Sequence, residues 1–167
     1  MTYEEIKIIP IEEKHIESFH ASLDSVCRER LYLATLQGPP LASVREFVSN
    51  NITNGVPQFV AVDSNHRVVG WCDISPSKKV GFKHCGHLGM GVSKEFRGKG
   101  VGEKLLLATL ARAKQIGLER VELEVFASNV SAIELYKKSG FSVEGVKPKC
   151  RKIDGKYDDV VLMGVFW

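Results

Sequence analysis

One short stretch in the middle of the chain constrains the fold most. Residues 88–92, Leu-Gly-Met-Gly-Val, predict a strand, and the apolar spacing over 101–116 predicts a helix. Between them, Gly98, Gly100 and Gly102 stand at alternate positions. Glycine allows a positive φ and a close approach to the main chain, and the first turn of a helix carries N–H groups without an internal partner. The stretch therefore predicts an anion site, most often one for a phosphate.

Two familiar nucleotide-binding loops do not fit this stretch. A Walker A loop needs Lys-Ser/Thr after its last glycine, whereas Gly102 is followed by Glu103 and Lys104. The dinucleotide fingerprint Gly-x-Gly-x-x-Gly has a different spacing. Arg97 and Lys99 favour a negatively charged ligand, but the turn alone leaves a plain strand–helix connection open.

The rest of the chain predicts an α/β fold of mixed strand direction. The pattern predicts strands over 4–11, 57–62, 68–74, 84–92, 121–126, 141–152 and 157–166, and helices over 12–36, 43–51, 101–116 and 129–138, with 31–36 as a looser continuation of the first helix. Two hairpins follow, one of them with Asp154-Gly155 at its turn. The strand–helix–strand unit over 84–126 requires a right-handed crossover between parallel strands. Helices therefore pack on a mixed sheet.

Composition narrows the classes of protein. At 167 residues, with 44% apolar and 26% charged residues, the chain is expected to form one soluble domain. A net charge of +3 is too small to indicate a nucleic-acid partner. The sequence has no run of about 18 apolar residues, so no membrane partner is predicted. Four scattered cysteines and an N-terminus without an apolar core favour the cytoplasm.

Two motifs, taken together, resemble those of the GCN5-related N-acetyltransferase (GNAT) superfamily. The first is Arg/Gln-x-x-Gly-x-Gly/Ala, matched by Arg97, Gly100 and Gly102. The second is Asn-x-x-Ala-x-x-Leu-Tyr-x-x-x-Gly-Phe, matched by Asn129, Ala132, Leu135, Tyr136, Gly140 and Phe141. The core resemblance covers about 57–166, and the run 151–160 is similar to the ribosomal-protein-alanine and small amino-acid acetyltransferase branch. It implies a single N-acetyltransferase domain over 1–167, with helices flanking a mixed sheet whose two central parallel strands splay into a V.

The resemblance also implies a site for acetyl-CoA as co-substrate. The pyrophosphate is expected on the turn formed by Arg97, Gly98, Lys99, Gly100, Val101 and Gly102. The pantetheine arm is expected along Met90, Gly91 and Val92 and beside Asn129 and Ala132, with a Met90 N–H polarising the thioester carbonyl. Tyr136 is expected to protonate the departing thiolate. Asn129 and Tyr136 are seven residues apart, so they share one helix face. A helix N-cap and a core aromatic remain the alternative roles of these two residues.

The sequence identifies the general base of the reaction less clearly than the general acid, Tyr136. Many relatives carry an acidic residue two positions before the glycine of this strand, and His87 stands there in this chain. His87 is the candidate, with Asp73 or water as alternatives. His84, Cys85 and His87 do not predict a metal site, because strand alternation turns His84 away and no further ligands accompany them.

The leading hypothesis is an enzyme that transfers acetyl from acetyl-CoA directly to a primary amine of a small molecule, such as an amino acid. Two alternatives remain: acetylation of a protein N-terminus, and an acetyl-CoA-binding module without turnover. A homodimer through an exposed edge strand also stays open.

Overall fold

The computed structural model describes residues 5–167. The strands are β1 Lys7–Pro10, β2 Gln58–Val62, β3 Val68–Pro76, β4 Cys85–Val92, β5 Arg120–Phe126, β6 Ser142–Ile153 and β7 Lys156–Phe166. The helices are α1 Ile16–Arg28, α2 Leu41–Thr53, α3 Val101–Gln115 and α4 Val130–Lys138. Short 3-10 turns span Glu13–His15, Val80–Phe82 and Lys94–Phe96. The predicted element order is confirmed, although the predicted start of the first strand at Glu4 lies outside the described residues.

These residues form one seven-stranded sheet in the order β1-β2-β3-β4-β5-β7-β6. Strands β4 and β5 run parallel, and the other neighbouring pairs in the described sheet are antiparallel. The parallel pair is joined through α3, as the strand–helix–strand pattern predicts. The mixed α/β sheet is therefore confirmed.

Helices cover both faces of the sheet. On one face, α1 and α2 pack against β2 and β3 through a buried cluster that includes Phe19, Val48 and Trp71. On the other face, α3 and α4 close a larger cluster around Leu105 and Met163. Alternation along each strand separates the clusters, because neighbouring side chains point to opposite faces. These two clusters hold the helices on the sheet and thereby keep the central strands β4 and β5 in position.

The predicted helix over 12–36 is wrong in its second half. Helix α1 ends at Arg28, and Arg30 takes a left-handed φ of 64° that a helix cannot contain. Tertiary ion pairs explain the change: Glu29 binds Arg97, and Arg30 donates to Asp154 at 2.7 and 3.1 Å. Residues 29–37 consequently form an irregular segment that reaches the central strands and the β6–β7 hairpin.

The central parallel strands separate halfway along their length. Pairing between β4 and β5 covers Cys85, Gly86 and His87, which face 120–122. Beyond His87 both strands continue, β4 to Val92 and β5 to Phe126, but no further pairs join them. The sheet therefore opens into a V at its centre, as the sequence analysis predicted.

Candidate active site

A cavity of about 410 Å³ occupies the V. Its walls come from the diverging strands β4 and β5, the turn before α3, the first turn of α3, helix α4, and the end of α1 with the segment after it. The lining combines apolar side chains and glycine backbone with polar and charged groups, among them Arg97, Glu103 and Glu124. The geometry fits a long, thin ligand lying between the separated strands.

One end of the cavity is closed by the glycine-rich turn. Gly98 and Gly100 have φ of 71° and 78°, which side-chain-bearing residues adopt at a cost. Gly100 is the N-cap of α3, no side chain caps the helix, and the first intrahelical bond runs from Lys104 N–H to the Gly100 carbonyl. The N–H groups of Val101, Gly102 and Glu103 are therefore free of intrahelical partners. This end of the cavity can accept an anion.

The side chain of Arg97 stabilises the turn. Its Nε donates to the Val92 carbonyl at 2.8 Å, and its two terminal nitrogens donate to the Glu29 carboxylate, both at 2.8 Å. The guanidinium also lies 4.6 Å from the centre of the Tyr32 ring. The Glu29 carboxylate thus compensates the charge of Arg97, and the anion-binding capacity of the turn comes from its backbone.

The edge of β4 supplies unpaired backbone donors to the cavity. Ser93 N–H donates to the Val69 carbonyl on β3, so the alternate residues Gly91 and Gly89 also bond toward β3. The N–H groups of Met90 and Val92 point the other way, into the space that β5 has left. The cavity therefore has backbone donors along one wall that an amide-bearing ligand can use as a strand would.

Helix α4 brings Asn129, at its N-cap, and Tyr136, about two turns later, to the same cavity. Asn129 Oδ1 accepts from the Ala132 N–H at 3.2 Å and caps α4. Tyr136 is 7% exposed, and its ring lies 5.7 Å from that of Phe141. Burial raises the pKa of the Tyr136 phenol above its ordinary value, and no described residue hydrogen-bonds its hydroxyl. The phenol therefore stays protonated and available as a donor.

The structure brings together most of the residues that the sequence nominated. Eleven of them line the cavity: Met90, Gly91, Val92, Arg97, Gly98, Gly100, Val101, Gly102, Asn129, Ala132 and Tyr136. Lys99 is exposed and lies over the Phe96 ring outside the lining. His87 is exposed at the last paired position of β4 and does not line the cavity.

Sequence reasoning missed the lid of the cavity. Val26, Tyr32 and Leu33 line it from α1 and the segment after it, and Glu29 holds that segment to Arg97. These residues belong to no motif and precede the turn by more than sixty positions. Tertiary contacts, the ion pair between Glu29 and Arg97 and the position of Arg97 over the Tyr32 ring, bring them to the site.

Comparison with known proteins assigns the class. The model of the "Acetyltransferase (GNAT) family" matches residues 25–141. The L-amino acid N-acetyltransferase AaaT of Escherichia coli is 32% identical over 111 residues, which cover 65% of this chain and 67% of that protein. The chain therefore belongs to the GNAT family, and it is an N-acetyltransferase.

Solved structures agree with this assignment. An acetyltransferase of the GNAT family from Streptococcus pneumoniae has a TM-score of 0.90 and 26% identity, covering 98% of this chain and 100% of that one. A phosphinothricin acetyltransferase from Sinorhizobium meliloti, solved in complex with AcCoA, has a TM-score of 0.90 and 20% identity over 96% of this chain and 88% of that one. The latter likeness concerns the fold. Within residues 5–167, no helix has the length and apolar character needed to cross a membrane.

Proposed function

We propose that this N-acetyltransferase takes acetyl from acetyl-CoA and transfers it to the primary amine of a small molecule, an amino acid or a related amine. The observation that carries the proposal is the V-shaped cavity, which has free N–H groups at the α3 end, unpaired N–H groups along β4, and a buried phenol opposite them. Each of these features matches one part of a long anionic thioester. The Sinorhizobium structure was solved with the same cofactor.

The cofactor is proposed to lie along the length of the cavity. Its pyrophosphate occupies the turn of Arg97, Gly98, Lys99, Gly100, Val101 and Gly102, where the helix dipole and free N–H groups favour negative charge. The pantetheine amides bond to the open edge of β4 at Met90 and Val92, beside Gly91. Asn129 Nδ2, which has no partner among the described residues, donates to the arm next to Ala132. Acetyl-CoA is thereby held more by hydrogen bonds from backbone N–H groups than by charged side chains.

The chemistry is proposed as a direct attack of the amine on the acetyl carbon. The Met90 N–H stabilises the negative charge that develops on the carbonyl oxygen. The carbon–sulfur bond then breaks, and the Tyr136 hydroxyl gives its proton to the sulfur. Burial suits Tyr136 to this role, because a phenol whose pKa is raised keeps its proton until a stronger base forms beside it.

A closed acceptor side favours a small molecule. Arg30 donates to Asp154 at the tip of the β6–β7 hairpin, Arg151 donates to the Arg30 carbonyl at 2.6 Å, and the Arg151 guanidinium lies 4.4 Å from the centre of the Phe126 ring. These contacts join the segment after α1 to the hairpin across the mouth of the V. A peptide would need an open groove there. The Escherichia coli relative is named for amino-acid substrates.

Calorimetric titration with acetyl-CoA and with CoA tests the cofactor site. Gly100→Glu places a carboxylate in the turn at a φ of 78°, and Gly117→Glu is the matched control, because Gly117 has a φ of 91° at the far end of α3 with open space around it. We expect Gly100→Glu to abolish binding and Gly117→Glu to keep it. Equal affinity of the two variants, or no binding by the folded wild type, would refute the proposed site.

Turnover is tested by thiol release with a panel of amino acids and amines and, in parallel, with peptides that have free N-termini. We expect release with a small amine, and a large loss of kcat without loss of acetyl-CoA affinity in Tyr136→Phe. Faster release with peptides would support the N-terminal alternative. Binding without release from either panel would support a module without turnover.

A further inference from the structure

An unpaired carboxylate stands next to the proposed acetyl site. Building on the proposed transfer reaction, we propose that Asp73 on β3 is the general base that takes the proton of the attacking amine, across the empty side-chain position of Gly89. The resemblance places an acidic residue on β4, at the position of His87. In this chain His87 stands at that position, and a carboxylate, Asp73, is paired with Gly89 from the neighbouring strand.

The register of the sheet puts Asp73 beside the cavity. Asp73 pairs directly with Gly89 of β4, and directly opposed residues of an antiparallel pair point to the same face. A Cβ built on Gly89 would lie 3.7 Å from Asp73 Oδ1 and 4.0 Å from Oδ2. Gly89 lines the cavity and has no side chain. A substrate amine at Gly89 therefore lies within reach of the carboxylate, directly or through one water molecule.

Nothing in the described part of the chain neutralises Asp73. Unlike Glu29 and Asp154, it forms no ion pair with a described residue. On this face β2 contributes the neutral Gln58 opposite it, which binds the equally neutral Asn51 of α2. Asp73 therefore stands next to a cavity-lining glycine with the neutral Ser75 hydroxyl as a partner and without a cation among the described residues.

Its surroundings keep the proton exchangeable near neutral pH. Burial raises the pKa of the Asp73 carboxyl to about 7, although an interaction with the Ser75 hydroxyl lowers it in part. The other titratable groups close by are the Cys72 thiol on the same strand, whose pKa burial raises, and the His87 imidazole diagonally across on β4. The side chain is half-buried, so it can return its proton to solvent.

Asp73 lies close to the position on β4 at which the family resemblance implies an acidic general base. His87 pairs with Ser75, so Asp73 is its diagonal neighbour, and such neighbours are roughly 7 Å apart. His87 stands two positions before Gly89 on β4, with Leu88 between them.

Two other acidic residues, Glu103 and Glu124, line the cavity, but each is paired with a lysine, Glu103 with Lys138 at 3.0 Å and Glu124 with Lys147 at 2.7 Å. Asp73 lies behind the lining residue Gly89 and has no ion pair with a described residue, and His87 lies outside the lining.

The step balances in protons and electrons. An N–H bond of the substrate ammonium breaks, and its proton passes to an Asp73 oxygen. The freed lone pair forms the carbon–nitrogen bond, the carbon–sulfur pair leaves on sulfur, and Tyr136 protonates the thiolate. The surplus proton on the new amide nitrogen restores the Tyr136 phenol. Asp73 then releases its proton to solvent, which gives one amide, one thiol and one proton for each ammonium and thioester consumed.

The test compares five variants of the enzyme, His87→Gln among them, with an amine substrate found by the thiol-release screen. Asp73→Asn is expected to lower kcat/KM at pH 7 by about 100-fold or more, with acetyl-CoA affinity unchanged. The acid limb of its pH–rate profile is expected to disappear. Asp73→Glu is expected to restore part of the activity. Gly89→Ala keeps the carboxylate but covers it with a methyl group, so it is expected to lower kcat. Glu46→Gln, an exposed carboxylate on α2, is the matched control and keeps the wild-type profile.

Separate outcomes distinguish this inference from the proposed function. If the wild type binds acetyl-CoA but transfers nothing, the proposed function fails. If the wild type is active and Asp73→Asn stays within about threefold of it with its acid limb intact, the assignment of Asp73 is overturned. It is also overturned if His87→Gln, and not Asp73→Asn, removes the acid limb.

Discussion

Replacing Gly91 with alanine tests how the central strands are packed. A Cβ at this position would lie 2.5 Å from Trp71 Cζ2 and 3.1 Å from Cζ3. Carbon atoms in contact prefer about 3.5–4.0 Å, so the ring would have to retreat by about 1 Å. Trp71 is 4% exposed and lies against Phe19, with ring centroids 5.7 Å apart, so there is little room for that movement.

The expected cost follows from two opposing terms. Overpacking a filled core costs about 1–3 kcal/mol. Replacing a glycine stiffens the unfolded chain and returns about 0.4–1 kcal/mol. The net loss in free energy of unfolding for Gly91→Ala therefore lies between about 0 and 2.6 kcal/mol. Its midpoint of about 1.3 kcal/mol lowers Tm by about 3–5 °C for a domain of this size. Urea denaturation and calorimetry measure both quantities.

Gly89→Ala is the matched control. It lies two residues away on the same strand and face, but its Cβ would meet only the Asp73 carboxylate at an ordinary 3.7 Å. We expect its stability to stay level or rise by about 0.4–1 kcal/mol. Stabilities of the two variants that agree within about 0.5 kcal/mol would refute the packing argument.

Three further predictions concern single side chains. Because burial raises the pKa of Asp73 to about 7, its favourable contribution to stability is complete below the unfolded pKa of about 4 and is lost as the pH rises through 7. At pH 8, the free energy of unfolding of Asp73→Asn, measured by urea denaturation, should therefore exceed that of the wild type. The difference is up to about 4 kcal/mol before solvent screening reduces it. At pH 5 the difference should be smaller. Asn129→Ala should lose about 1 kcal/mol of stability with its cap, whereas Asn129→Asp should keep the cap and weaken acetyl-CoA binding in calorimetry. Glu29→Gln should cost about 1–3 kcal/mol by urea denaturation, because it breaks a half-buried bidentate pair, and a double-mutant cycle with Arg97→Gln measures the coupling.

Each of these three has an outcome that contradicts it. A stability difference between Asp73→Asn and wild type that does not change with pH would mean that the native carboxyl titrates like an exposed one. Equal acetyl-CoA affinity of Asn129→Asp and wild type would limit Asn129 to its cap. A coupling energy near zero between Glu29 and Arg97 would show that the lid is held by other contacts.

Local patterns in the sequence were sufficient to predict the central strand–helix–strand unit formed by β4, α3 and β5. The alternation over 84–92, the glycine spacing at 98–102 and the apolar periodicity of α3 are local properties, and the strand–helix–strand connection admits one handedness. The two motifs also placed Asn129 and Tyr136 on one helix face, and the structure confirms that both line the cavity. Local geometry was enough because each of these features lies within one element or one turn.

The sequence alone determined the family motifs, the mixed sheet and the residues of β4, the glycine-rich turn and α4 that line the cavity. The tertiary structure decided what lies over and beside these lining residues. Contacts between distant segments end α1 at Arg28, bring Glu29 to Arg97, and set Asp73 opposite Gly89. Such contacts depend on the register of paired strands and on ion pairs across more than sixty residues, and no local pattern records either of them.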